Sequence, residues 1–219
     1  MTRRCDSRSP ERSFRLLPLI AASTLALAST LALAASSVDE LRSRWETITT
    51  ATPSGQREQA LESLASEADA LVQASPNVSE PLVWQGIIQA SLAKAKGGLG
   101  ALDNAKAARR ALERAVALDA SGLDGSAYVT LGALYDRAPG WPVAFGDDDV
   151  AEEMFEKALA IRPDGVDVNF YYAAYLADEG RDQEAKRHAE LALQGPLRAG
   201  REASDQALKR EAQSLLSDL

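Results

Sequence analysis

Few side chains in this sequence could carry out chemistry. A single histidine, His188, lies in the run EAKRHAELAL, and a single cysteine, Cys5, precedes the apolar stretch near the N-terminus. A general base needs a nucleophile or substrate proton within hydrogen-bond reach, and no Ser/His/Asp or Cys/His arrangement is apparent. His188 reads as a solvated residue on the outer side of a helix. The glycines of GGLGALDNA follow no strand, so they do not make a phosphate-binding loop, and no Glu-x-x-His metal set is present. Asp147, Asp148 and Asp149 stand together, but they lack the D-x-D-x-D-G spacing of a calcium loop. Three acids just before an apolar run instead cap a helix N-terminus and complement its dipole. No catalytic, cofactor-binding or metal-ligating residue is therefore expected, and recognition is the chemistry that remains.

Recognition needs faces, and helices must supply them. The 219 residues are 46% hydrophobic and only 5% aromatic, and alanine and leucine prevail. Val38, Leu41, Trp45 and Ile48 recur at helical spacing, and Thr52-Pro53-Ser54-Gly55 breaks the run. Leu61, Leu64, Ala68 and Leu71 restart it, and Ser75-Pro76 ends it. No stretch alternates with period two, so no sheet is expected.

Internal repetition sets the architecture. Tyr128-x-x-Leu131-Gly132-x-x-Tyr135, followed by Ala151, Phe155, Ala158 and Pro163, matches the tetratricopeptide pattern of two helices per unit. Gly132 and Ala151 are small where the two helices of a hairpin meet, and Tyr135 and Phe155 fill the gap between hairpins. Pro163 ends the second helix, because it cannot continue the hydrogen-bond ladder. A second copy places Ala173, Ala185, Ala189 and Ala192 at the small positions with Gly180 at the turn. A looser copy upstream uses Leu82, Gly86, Ala108, Leu112 and Ala115. Residues 40–76 read as a degenerate first hairpin and 201–218 as a terminal capping helix. The fold class expected is all-α: a tetratricopeptide-like helical hairpin solenoid with a capping C-terminal helix.

The first helix of each unit should line the concave side. That places Val83, Ile87 and Ala90, then Val129, Ala133 and Asp136, then Phe170, Ala174 and Ala177 inward. Such a lining is almost wholly apolar and needs cover: a ligand, a loop or another subunit. Alternatively, a short solenoid closes on itself and these positions are core. Between the helices of the central hairpin sits Pro139-Gly140-Trp141-Pro142, with Phe145 behind it. Two large aromatics in a loop should fold over apolar surface. They either plug the hairpin tip or wall a ligand cavity at the mouth of the groove. Clamping a peptide carboxylate would need cations on successive inner faces, and only Asn169, with Lys94 and Lys96 more remote, lies near.

The stretch LGALYDRAPGWPVAFGDDDVAEEMFEKALAIRPDGVDVNFYYAAYLADEGR resembles the T-component of periplasmic TRAP transporter systems. The shared features are the hairpins, the PGWP–FGD loop and an Asp-x-Asn-aromatic start to the next helix, here Asp167, Asn169 and Phe170. The resemblance covers about residues 80–216. It implies an exported accessory subunit that associates with a periplasmic solute-binding protein. It also implies a hydrophobic or amphipathic small ligand, assembly as a homo-oligomer (a trimer), and no cofactor. The ligand or partner site expected on these grounds comprises Val83, Ile87, Val129, Ala133, Asp136, Trp141, Phe145, Asn169, Phe170 and Ala174. The alternative is a generic periplasmic tetratricopeptide scaffold for protein–protein interaction without a small ligand.

The N-terminus supports export. Arg3, Arg4, Arg8, Arg12 and Arg15 precede LLPLIAASTLALASTLALA, which ends in Ala32-Leu33-Ala34, the pattern of a signal peptide over 1–34. Cys5 lies ahead of the apolar run, so it is not a lipidation cysteine. Residues 35–78 then form N-terminal helices with the degenerate hairpin, and 79–219 the repeat region. Residues 1–34 hold five of the 24 cations and two of the 32 acids, which leaves 19 against 30, a balance of −11. A chain so acidic does not seek nucleic acid through charge.

Overall fold

The computed structural model describes residues 1–2 and 38–219. The chain divides into two units, Met1–Leu33 and Ala34–Leu219, and every helix named below belongs to the second. The expected signal segment, its cleavage point and the boundary at residue 35 lie outside the described residues.

The described residues form an all-α helical repeat solenoid of nine α-helices with no strand among them. They are α1 (38–50), α2 (Ser54–Ala74), α3 (Ser79–Lys96), α4 (Ala101–Leu118), α5 (Ser126–Arg137), α6 (Asp148–Ile161), α7 (Val166–Asp178), α8 (Asp182–Gln194) and α9 (Glu202–Asp218). Helices α3/α4, α5/α6 and α7/α8 pack as hairpins. The first helices of successive hairpins, α3, α5 and α7, neighbour one another, and α9 lies on α7 and α8. Residues 38–74 supply the two helices expected of a first hairpin, separated at Thr52-Pro53, and Arg44 of α1 pairs with Glu67 of α2.

Three helices repeat one packing rule. Ala108, Leu112 and Ala115 on α4, Ala151, Phe155 and Ala158 on α6, and Ala185, Ala189 and Ala192 on α8 are all fully buried. The small residues let the paired helix approach, and the middle position fills what is left. In the first two of these hairpins a glycine faces a large side chain. A Cβ on Gly86 would lie 2.4 Å from Leu112, and one on Gly132 would lie 2.7 Å from the Phe155 ring. In the α7/α8 hairpin the exchange is Ala173 with Ala189, both fully buried in one cluster. Gly132 is therefore small because the Phe155 ring occupies its Cβ space, rather than because two backbones touch. Phe155 also reaches Tyr172 and Tyr175 of α7, at 5.7 and 5.8 Å between ring centroids, so one side chain joins two hairpins.

Helix ends follow the expected punctuation. Helix α6 stops at Ile161 ahead of Pro163, and Gly180 takes a left-handed conformation (φ 72°) in the short turn between α7 and α8. The capping helix α9 turns polar residues inward at its start. Its first turn buries Ser204 and Asp205, and Ala203 is exposed, because those two polar residues meet partners inside the stack.

Candidate functional site

The inner helix faces come first, since the sequence places most of the candidate residues there. Val83 and Ile87 belong to the main core with Trp45, Trp84 and Leu112, and both are buried. Val129 is buried with Ala158 and Val168, and Phe170 with Val166, Ala189, Leu208 and Ala212. Ala133 and Ala174 are half-buried, as are Ala90 and Ala177. Of the nine inner-face positions, the four larger apolar side chains, Val83, Ile87, Val129 and Phe170, are packed by their own chain. Asp136 is half-buried, and burial raises its carboxyl above the usual range; Asp178, Asp148 and Glu179 add to that, and Arg137 opposes it.

A polar cluster lies at the start of α7. The segment between α8 and α9 carries Arg198 and Arg201, and both turn inward. Arg198 donates through its Nη1 to Asp167 Oδ2 at 2.5 Å, and through its backbone N–H to Asp205 Oδ2 at 2.8 Å. Its guanidinium also pairs with Asp205. Arg162 donates to the other oxygen of Asp167 at 2.5 Å. Asp167 is 3% exposed. Burial opposes its charged form, but Arg198, Arg162 and Arg201 together outweigh that, and the carboxyl is held below its usual range. Arg201 lies over two indole rings, 4.6 Å from Trp45 and 5.5 Å from Trp84. Burial, then the neighbouring Arg198, pushes it down to about 10, so it stays charged at neutral pH. Glu46 of α1 accepts the Ser204 N–H of α9 at 2.7 Å, which ties the first described helix to the last.

Asn169 sits on the same helix as Asp167 but does not face a groove. It is fully buried, and its Nδ2 donates to the carbonyls of Pro163 at 2.8 Å and Gly165 at 2.9 Å. Its Oδ1 is therefore the acceptor for His188 Nδ1, 2.8 Å away, which places the imidazole proton on Nδ1. The reading of His188 as a solvated surface residue is overturned: it is 6% exposed, and burial lowers its pKa. The signal for this was present, because positions 185, 188, 189 and 192 share one helical face.

The loop between α5 and α6 separates its two aromatics. Phe145 packs edge-on against Tyr135, centroids 5.5 Å apart, and Arg109 lies 4.6 Å over its ring. Main-chain bonds tie the loop down: Gly146 N–H to Pro139 O at 2.9 Å, Asp147 N–H to Tyr135 O at 3.1 Å, and Val143 N–H to Gly140 O at 3.1 Å. A Cβ on Gly146 would stand 1.9 Å from the Ala138 carbonyl oxygen, so only glycine permits this approach. Asp147 caps α6 by accepting the Val150 N–H at 3.1 Å, as the acidic run suggests. Trp141 corrects the expectation for this loop. It is 89% exposed, and Val143 beside it 56%, so Trp141 neither plugs the hairpin tip nor covers the inner face. The physical reason is that Phe145, from the same loop, already takes the available apolar surface on Tyr135.

Two open grooves, of about 590 and 330 Å3, lie along α1 and α2. The larger is lined by residues including Ser43, Thr47, Gln56 and Ala60, and the smaller by residues including Leu41, Ala70 and Leu71. Neither involves a residue of the expected site. Of the expected ten, Val83, Ile87, Val129 and Phe170 fall in three separate core clusters, and Trp141 is the one that stands largely in solvent.

No protein-family model matches the sequence, and no curated protein does. Among solved structures, two crystal structures of MamA are similar. Each is 22% identical over 64% of this chain, covers 91% or 85% of its own, and has a TM-score of 0.36 or 0.35. At that level the likeness bears on no residue or role in this chain.

Proposed function

We propose that this chain is a non-enzymatic, exported tetratricopeptide-like module whose work is to bind another protein. The observation that carries the reading is the inward turn of Arg198 and Arg201. With those side chains on Asp167, Trp45 and Trp84, the cations are taken up by the chain itself, which favours the outer surface and loops as the place of contact with a partner. Export and the boundary at 35 rest on the sequence over 1–34 alone, and the boundary at 79 rests on the repeat pattern.

A second reading is favoured by one specific observation, the PGWP–FGD loop and the Asp-x-Asn-aromatic helix start. On that motif the chain would be an accessory subunit of a TRAP-type transport system, with a solute-binding protein as partner, a hydrophobic solute as ligand, and itself as protomer of a trimer. Native mass spectrometry of protein released gently from its own cells separates the two. The scaffold reading expects no bound apolar small molecule, and a protein partner captured by cross-linking. Co-purification of a lipid-like molecule that is lost on Ala133→Glu or Ala174→Glu, with folding retained, would overturn it in favour of the solute carrier. Both alanines are half-buried, and Ala133 packs against the Phe155 cluster, so folding is verified in each variant.

A further inference from the structure

We infer that the 139–149 loop is a preformed docking knob, with Trp141 as the residue inserted into a partner protein whose receiving pocket is apolar and rimmed by lysine or arginine. The inference rests on the scaffold reading and names the surface and the partner's chemistry.

Trp141 is held in water by structure rather than by looseness. Its loop is bonded to itself and to Tyr135, pinned by Gly146 and anchored by Phe145 under Arg109. An indole at 89% exposure beside a 56% exposed valine is a large apolar area left unsheltered by a chain that buries its other two tryptophans to 8% or less. Tryptophan is the residue type most enriched at the energetic centres of protein interfaces, and a rigid presenting loop removes the ordering cost of using it.

The charges around the knob select the partner. Asp147, Asp148 and Asp149 follow it, all exposed, and none makes an ion pair among the described residues. Of the cations at the root of the loop, Arg109 lies over the Phe145 ring and pairs with Glu113 at 3.6 Å, and Arg137 pairs with Asp136 at 3.6 Å, so neither pairs with the aspartates. The knob therefore presents an apolar tip with an acidic flank on a chain of net charge −8. That pattern repels anionic lipid and a second copy of the same loop, and it complements a basic rim.

The test places p-benzoylphenylalanine at position 141, and in separate chains at the exposed Glu156 of α6 and Glu211 of α9, in the cells that make the protein. The adduct through position 141 is identified and purified, then titrated against wild type, Trp141→Ala and the Asp148→Asn/Asp149→Asn double variant. Asp147 is left in place because it caps α6. The inference expects Trp141→Ala to weaken binding by about 30-fold or more, at an unchanged melting temperature. The double variant should weaken it by roughly 3- to 10-fold, mostly in the association rate, with a shallower salt dependence. A partner captured only through 156 or 211, or one whose affinity ignores Trp141→Ala, overturns the knob and leaves the scaffold reading standing. Trp141-dependent self-association by sedimentation, or Trp141-dependent pelleting with phosphatidylglycerol vesicles, overturns it in favour of a second copy or a membrane. Failure to cross-link from all three positions overturns the scaffold reading as well.

Discussion

The junction of α1, α3, α7 and α9 and the loop between α5 and α6 invert the usual rule in opposite directions. At the junction, carboxylates and guanidinium groups sit inside: Asp167 and Asp205 with Arg162 and Arg198, and Arg201 against Trp45 and Trp84. In the loop, a tryptophan sits outside. Asp167, Asp205, Arg162 and Arg198 are tolerated there because each has an oppositely charged partner in place, whereas Arg201 rests on two indole faces; loss of one ionic partner leaves an uncompensated charge. The aromatic is tolerated in solvent because the loop that holds it satisfies its own backbone and a second aromatic anchors it. Stability should therefore reside in the first region and be almost indifferent to the tip of the second.

That contrast can be broken at several points. The largest effect is expected from Asp167→Ala, which leaves Arg162 and Arg198 facing one another. It should cost about 3–5 kcal/mol in urea unfolding, and a loss below ~1 kcal/mol would show the junction to be ornamental. Next comes Gly146→Ala, whose Cβ would meet the Ala138 carbonyl oxygen. A backbone atom cannot move aside as a side chain can, so a loss of about 1–3 kcal/mol is expected, with faster amide exchange across 139–147.

His188 tests the junction's neighbourhood by pH. Its pKa in the folded chain is below the unfolded value of 6.5. Below pH 6.5 the unfolded chain therefore binds the proton more readily, and stability is lost as pH falls from 6.5 through the folded pKa. His188→Gln should remove that part of the slope between wild type and variant. If the two stability curves stay parallel from pH 7 to 5, the imidazole is not buried neutral. The smallest effect belongs to Trp141→Ala, whose stability should stay within ~0.5 kcal/mol of wild type. It should also delete the red-shifted part of the tryptophan emission, because Trp45 and Trp84 are shielded.

The repeat was legible because its signals are local. Alanine and one larger residue at helical spacing define α4, α6 and α8, and Pro163 and Gly180 mark where helices must end or turn. The inner-face residues were legible as apolar, but the polar cluster was not, since Arg198 and Arg201 are brought to Asp167 and Trp45 across 31 and 156 positions of sequence. Nothing in the run GPLRAGR itself states its partners. His188 shares its register with Ala185 and Ala192, and that position outweighs its polar type because Asn169 supplies a buried acceptor. Trp141 was not legible, because hydrophobicity predicts burial only where a vacant apolar surface exists, and Phe145 had taken it.

The bridge from Glu46 to Ser204, with Arg201 wedged over Trp45 and Trp84, alters what kind of repeat protein this is. An open stack unravels from its termini and tolerates units being added or deleted. A stack whose first and last described helices clasp one another should resist fraying at those two helices. It should melt in a single step, and adding one more hairpin would pull the clasp apart.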